Sequence, residues 1–185
     1  MTDQLVFTLD FHRPFRVGAS HGRDGTHQTV DTDEPIGAAH LKGLMRAAAR
    51  TRLLLPDSVV ERVFGSTAAP CPWSWQPVAP VSEWGSPKLR TRISVDSEHH
   101  ATIEDHLVVA EQLSGASRAS FAVTRHRYIA AADLETHLLV LRCAGAAVHH
   151  LGAWRHRGLG WIGITPDPAV TAPDITALRA LGKEN

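Results

Sequence analysis

The sequence predicts an α+β fold of the ferredoxin-like (RRM-like) kind, an antiparallel sheet with two main helices on one face. Three observations predict it. Leu5 to Phe11 alternates, with Leu5, Phe7, Leu9 and Phe11 on one side and Val6, Thr8 and Asp10 on the other, as a half-buried strand does. Two long stretches, Ala38 to Leu55 and Asp133 to Gly152, carry apolar residues at helical spacing instead. Between and after them lie further alternating runs, so the order is strand, helix, strands, helix, strand. With 185 residues, 43% of them hydrophobic, the chain can bury one sizeable core. We expect a single domain over 1–165, with a Pro/Trp-rich insertion at 66–87, and then a tail over 166–185 containing a short helix.

Composition narrows the function. Formal net charge is zero, which excludes a globally basic nucleic-acid binder but leaves local asymmetry open. The 12 histidines add positive charge below about pH 6.5. Cys71 and Cys143 match no metal spacing and suggest reduced thiols in a cytoplasmic protein. The start, MTDQLVFTLDF, has no basic segment followed by a long apolar one, so no signal peptide is expected. No apolar run approaches the roughly 20 residues of a membrane span.

Taken in order, the first strand should resume through Phe15 and Val17 after Pro14. Gly18 to Thr29 is a glycine-rich loop with His21, Arg23 and His27. Asp31, Asp33 and Glu34 come just ahead of the first helix, where carboxylates favour the positive end of its dipole. In that helix Lys42, Arg46 and Arg50 follow at i, i+4 and i+8 and form one stripe. Leu41, Leu44, Met45 and Ala48 should pack on the sheet. No acid falls between His40 and Leu55, so the stripe has no partner within its own helix. Pro56 stops the helix, and Asp57 to Phe64 suggests a short second one. Thr67 to Pro87 holds five prolines with Trp73, Trp75 and Trp84; it reads as a cover over the domain, not as a core strand. Leu89 to Val95, Leu107 to Leu113 and Ala119 to Arg125 read as strands, the last two joined by the short turn Ser114 to Ser117. Asp133 should cap the second long helix, Gly152 end it, and Asp174 cap the tail helix.

The stretch Trp154 to Gly163, WRHRGLGWIG, combines Arg155, His156 and Arg157 with Gly158 and Gly160. No Asp or Glu occurs from Leu138 to Ile164, so this loop brings no counter-ion of its own. A solvated glycine turn is the ordinary meaning of such a segment. Two acid-free basic elements in one chain also suit a phosphate backbone.

Several of these stretches, in order, resemble the RAMP superfamily of CRISPR-associated proteins, and most of all the backbone subunit of type III effector complexes. In IGAAHLKGLMR, Leu41, Lys42, Gly43 and Arg46 match the family's signature helix, while Gly37, Ala38, Ala39 and His40 replace its proline, glycine and serines. Phe64-Gly65-Ser66 matches the segment after that helix. Arg92 to Asp96, followed by Ala101, Glu111 and Phe121, resembles the family's central strand and hairpin. Arg157-Gly158-Leu159-Gly160 resembles its glycine-rich loop. The matches span roughly residues 5 to 165.

The resemblance implies a ferredoxin-like palm with an inserted hairpin or loop region, repeated along a CRISPR guide RNA beside other effector subunits. Lys42, Arg46 and the glycine loop would hold guide phosphates, with Arg50, Arg155, Arg157, Gly158 and Gly160 in the same surface. An aspartate ahead of the signature helix would cleave target RNA with a divalent metal, Mg or Mn; Asp31 fits that position and Asp33 is equally close by spacing. The alternatives are a non-catalytic RAMP scaffold subunit and a guide-processing endoribonuclease using His21 or His27 as acid or base. A metalloenzyme built on His99-His100 or His149-His150 is a third class, weakened because neighbouring helical residues do not face one another. The guide-RNA reading expects Lys42, Arg46, Arg155 and Arg157 to line one groove.

Overall fold

A computed structural model describes residues 4–18, 26–93, 107–114 and 116–182. The main sheet has the order β2-β6-β1-β7, from Trp73–Trp75, Arg118–Arg125, Gln4–Phe11 and Ile162–Asp167, and all its pairings are antiparallel. β3 (Ala79–Pro80) adds a second short pairing to β6. Helices α1 (Ala38–Thr51) and α2 (Asp57–Phe64) connect β1 to β2, with β6 lying between those two strands. Helix α3 (Ala131–Ala146) connects β6 to β7, with β1 between them. These are two split β-α-β units, so the ferredoxin-like expectation is met.

The core sits between sheet and helices. Leu5, Phe7 and Leu9 of β1 point inward, as their alternation requires, and Phe7 stacks on its cross-strand partner Phe121 with ring centroids 4.8 Å apart. Leu41, Met45, Ala48 and Ala49 of α1 and Leu134, Leu141 and Ala144 of α3 close over them. Gly145 lets α3 come down onto the sheet: a Cβ there would lie 2.6 Å from Cε1 of Phe7. Trp73 and Trp75 are buried beneath their own strand. Trp75 Nε1 donates to Met45 Sδ (3.2 Å), and Trp73 Nε1 donates to His137 Nδ1 (3.1 Å), which requires that nitrogen to be unprotonated.

Several sequence expectations are corrected. The strand expected at Leu89 to Val95, where Arg92 to Asp96 resembles the family's central strand, is described only as far as Ile93. Its described part, β4 (Lys88–Arg92), pairs only with β5 (Val108–Gln112) in a separate two-stranded sheet, and β6 is central instead. Alternation marks a strand but not the sheet it joins. β5 and β6 therefore do not form the expected hairpin. The fourth strand of the main sheet is β2, within the Trp/Pro-rich stretch. As a three-residue edge strand it tolerates prolines on either side. Phe15 leaves the line of β1 and bridges Leu113, so the chain after Pro14 serves the small sheet. β7 runs on through Pro166 to Asp167, two residues into the expected tail, which its edge position allows.

Helix ends shift as well. α1 stops at Thr51, short of Leu55, because Leu54 takes a positive φ of 53°. α3 begins after Ala130, so Asp133 lies in its first turn and is not the cap, and it ends at Ala146, not at Gly152. The cap of α4 (Ala172–Leu181) is Thr171; Asp174 is the third helical residue of a reciprocal capping box and also pairs with Arg142 (2.6 Å). Both cysteines are free, and burial pushes the Cys143 thiol up to about 11. Among the described residues no helix is long and apolar enough to cross a membrane.

Two glycine substitutions test the packing. Gly145→Ala should destabilise by about 1–2 kcal/mol, because overpacking a fixed Phe7 costs more than the helix gains from alanine. Gly43→Ala in α1, where a Cβ would meet nothing within 4 Å, should stabilise by up to about 1 kcal/mol. Urea midpoints of the two variants should therefore move in opposite directions; a shared direction would contradict this account of α3.

Candidate nucleic-acid interface

The segment after α3 is a braced loop. Leu151 N–H donates to the Gly160 carbonyl (2.9 Å), Gly160 N–H to the Pro14 carbonyl (2.8 Å) and Ala153 N–H to the Arg16 carbonyl (2.7 Å). Leu159 is buried and anchors the tip. Gly152 and Gly160 have φ near +73° and +71°, and a Cβ at either would lie 2.1 Å from the Arg16 carbonyl oxygen or 2.0 Å from that of Leu151. Between them Arg155–Arg157 form one exposed 3-10 turn, closed by Gly158 at φ +77°. The Gly160 amide is spent on the loop itself, so what that residue supplies is the shape of the turn. Gly158 has open space around it.

This turn faces one flank of α1. Arg155 shares a shallow pocket with Leu44, Ala47, Thr51 and Arg52 of the first helical segment and with His149 and His150. The last two sit beyond the end of α3, not within it. His150 is held below the ordinary histidine value by desolvation and then by Arg52, Arg155, His149 and His156. His40 is held down by burial and by Arg155. Among the described residues no carboxylate enters either environment. Arg52, His40, His149 and His150 were not singled out as a basic cluster from the sequence; their isolation from acids appears only once α1 and the loop are placed side by side.

Lys42, Arg46 and Arg50 lie on the other flank. At 3.6 residues per turn, Lys42 and Leu44 stand about 200° apart around the helix. Lys42 Nζ lies 5.6 Å from the Trp75 ring centroid, in reach of a cation–π contact. Arg50 Nε donates to Asp57 Oδ1 (2.8 Å), and its Nη2 is 3.8 Å from Glu61 of α2. The stripe lacks partners in its own helix, but α2 supplies them to Arg50. Arg46 keeps a buried Nε without a hydrogen-bond partner. The single groove expected for Lys42, Arg46, Arg155 and Arg157 is therefore not formed, because α1 stands between two basic flanks. The crest separating them carries Gly43 and Ala47, both exposed and small.

The open side of the sheet is a weaker candidate. Its outward strand positions hold Val6, Thr8, Ser120, Ala122, Thr124 and Thr165, with no aromatic side chain among the described residues, and Asp10 is paired with Arg118 (2.8 Å). Its strand positions carry none of the stacking rings that RNA-binding sheets of this topology use; the rings at that register, His12 and Trp161, lie just outside β1 and β7 and pack on each other (centroids 5.2 Å).

Asp31 is exposed and its Oδ1 accepts from the backbone N–H of Asp33 (2.9 Å) and Glu34 (3.0 Å). Those two bonds hold its carboxyl below the usual range. Asp33 is exposed beside it. Among the described residues no three ligating side chains converge there. His27 Nδ1 accepts from the Val109 N–H (3.1 Å), which makes it a pin between this segment and β5. His21, His99, His100, Asp96 and Asp105 lie outside the described residues.

With this geometry in view, the comparisons with known proteins can be placed. No protein-family model and no curated protein matches the sequence. A solved structure does match: a chain in the cryo-EM structure of the Type III-B Cmr-beta bound to cognate target RNA, with a TM-score of 0.60 and 14% identity, over 87% of this chain and 58% of that one. The likeness is one of fold. The present chain spans a little over half the length of that neighbour.

The lowered histidine values give a pH prediction. A phosphate docked on the Arg155 flank would raise the pKa of His40 and His150, so binding would take up protons. Affinity for single-stranded RNA should be lowest at pH 8 and rise as pH falls below about 6.5, by up to about tenfold for each group whose value shifts by one unit. Anisotropy titrations at constant ionic strength, repeated with H40N and H150N, check this. A flat profile for the unaltered protein would exclude the flank.

Proposed function

We propose that this chain is a guide-RNA-binding backbone subunit of a type III CRISPR ribonucleoprotein effector complex, of the RAMP superfamily, working in the cytoplasm. One observation carries the proposal: the glycine-braced Arg155–Arg157 turn, beside Arg52, His149 and His150, presents cations that no carboxylate among the described residues faces. The shared fold with a chain of the Type III-B Cmr-beta, which is bound to cognate target RNA, agrees with it. The guide would lie across the crest of α1, where Gly43 and Ala47 allow a sugar-phosphate backbone to come close. Arg155 and Arg157 would then contact phosphates on one side, with Lys42 and Arg46 on the other. Successive copies along the guide, other effector subunits and target RNA are the partners this arrangement would take.

Cleavage of target RNA at Asp31 or Asp33 is a separable part of the proposal. What favours it is an exposed carboxylate kept ionised by two backbone amides just ahead of α1. A divalent Mg or Mn ion would have to draw most of its ligands from RNA and water.

Expressed with a guide RNA, the protein should purify as a ribonucleoprotein filament. Arg155→Ala and Arg157→Ala should each weaken binding uniformly across sequences and reduce the salt slope by about 0.7 per lost single-strand contact. A chain that stays monomeric and free of RNA at low salt would overturn the proposal. Assembled complexes carrying D31A or D33A should bind target RNA normally, and one of the two should fail to cut it. Survival of cleavage in both would leave a scaffold only.

A further inference from the structure

Arg16 follows β1 and its side chain is only 5% exposed. Its Nε has no hydrogen-bond partner, and no ion pair to it is found among the described residues. A guanidinium stays charged throughout the working pH range, so its burial without a partner is costly. Desolvation does hold its pKa below the usual value. Its central carbon lies 4.9 Å from the centroid of the Trp154 ring, and that of Arg92 lies 5.2 Å from the same centroid. Two like charges therefore share one indole.

Among the described residues no carboxylate pairs with either guanidinium. Lys88, Arg90 and Arg92 pair with Gln112, Ala110 and Val108, so these residues occupy one face of the small sheet. The carboxylate in that ladder, Glu111, pairs with Leu89 and belongs to the other face. Trp154 is fixed in a left-handed conformation, φ 59°, by the bonds of its neighbours: Ala153 N–H to the Arg16 carbonyl and Arg157 N–H to the Trp154 carbonyl (2.8 Å). Gly18, beside the Arg16 guanidinium, leaves space there that a side chain would fill.

We propose that Arg16 and Arg92, stacked on Trp154, form a phosphate-binding clamp distinct from the Arg155–Arg157 turn. A guanidinium over a ring keeps its in-plane N–H groups for a ligand, and Arg16 Nε has no hydrogen-bond partner. The two non-ester oxygens of a phosphodiester carry enough lone pairs to accept from both forks, and its charge answers theirs. The clamp adjoins the braced loop, so its phosphate is a phosphodiester of the same RNA strand. That identification alone rests on the proposed function, and a free phosphomonoester would satisfy the same chemistry.

Arg16→Met separates a ligand site from a structural arginine. It removes a buried unpaired charge while keeping most of the volume, so the melting temperature should stay level or rise. Its affinity for a fluorescein-labelled single-stranded 12-mer RNA should fall by about tenfold, as should that of Arg92→Met. Inorganic phosphate and AMP are titrated against the same proteins by thermal shift. If unaltered protein binds the 12-mer and Arg16→Met and Arg92→Met bind it equally well, the clamp is wrong and the RNA-binding proposal stands. If phosphate or AMP raises the melting temperature only when Arg16 is present, but the 12-mer does not bind, the clamp stands with a phosphomonoester as its ligand. A lowered melting temperature for Arg16→Met with unchanged binding of all three probes would make Arg16 structural and end the proposal.

Discussion

Three backbone hydrogen bonds, Leu151 to Gly160, Gly160 to Pro14 and Ala153 to Arg16, hold the basic edge of this molecule in place. The first closes the loop after α3 on itself, and the other two fasten it to the chain that leaves β1. Without them Arg155 and Arg157 would be solvated side chains on a free loop, and ordering them would cost entropy at the moment of binding. With them, the cations are set in advance. Gly152 and Gly160 follow from the same constraint: each comes so close to a carbonyl oxygen that no side chain fits.

The fold divides its work between two sides. The inner side of the sheet carries the stacked Phe7 and Phe121 and the buried faces of α1 and α3, and it provides stability. The outer side of the sheet is made of small and hydroxyl-bearing residues, with its one described carboxylate–arginine pair already matched. Unpaired positive charge gathers instead along α1 and the loop, which explains how a chain of zero net charge can still offer an anion a surface. Arg50, engaged by Asp57 and Glu61, shows that not every basic residue there is free.

Much of this was legible in the residues. Alternation located β1, and helical spacing located α1 and α3, because both patterns are imposed by one buried side. The glycine loop stood out through its missing acids. Topology was harder. Nothing local in Leu89 to Val95 says that it abandons the main sheet, and a three-residue strand between prolines, such as Trp73 to Trp75, is too short to alternate visibly. The shared groove failed for a geometric reason: Lys42 and Arg155 are both near α1, but the face of a helix that a distant loop approaches is decided by tertiary packing. The meeting of Arg16, Arg92 and Trp154 joins three segments far apart in sequence, which no spacing rule detects. Ends of helices were misjudged where a backbone turn, as at Leu54, overrode an apolar pattern that continued past it.

The central claim is that nucleic acid is met on the α1 and glycine-loop side. Backbone hydrogen exchange, followed by mass spectrometry with and without a saturating single-stranded RNA, tests it most directly. The account predicts slowed exchange in the segments around Gly43 to Arg52 and His149 to Gly158, with β1 and β6 unchanged. Protection confined to the outer sheet strands, with the loop unaffected, would contradict it.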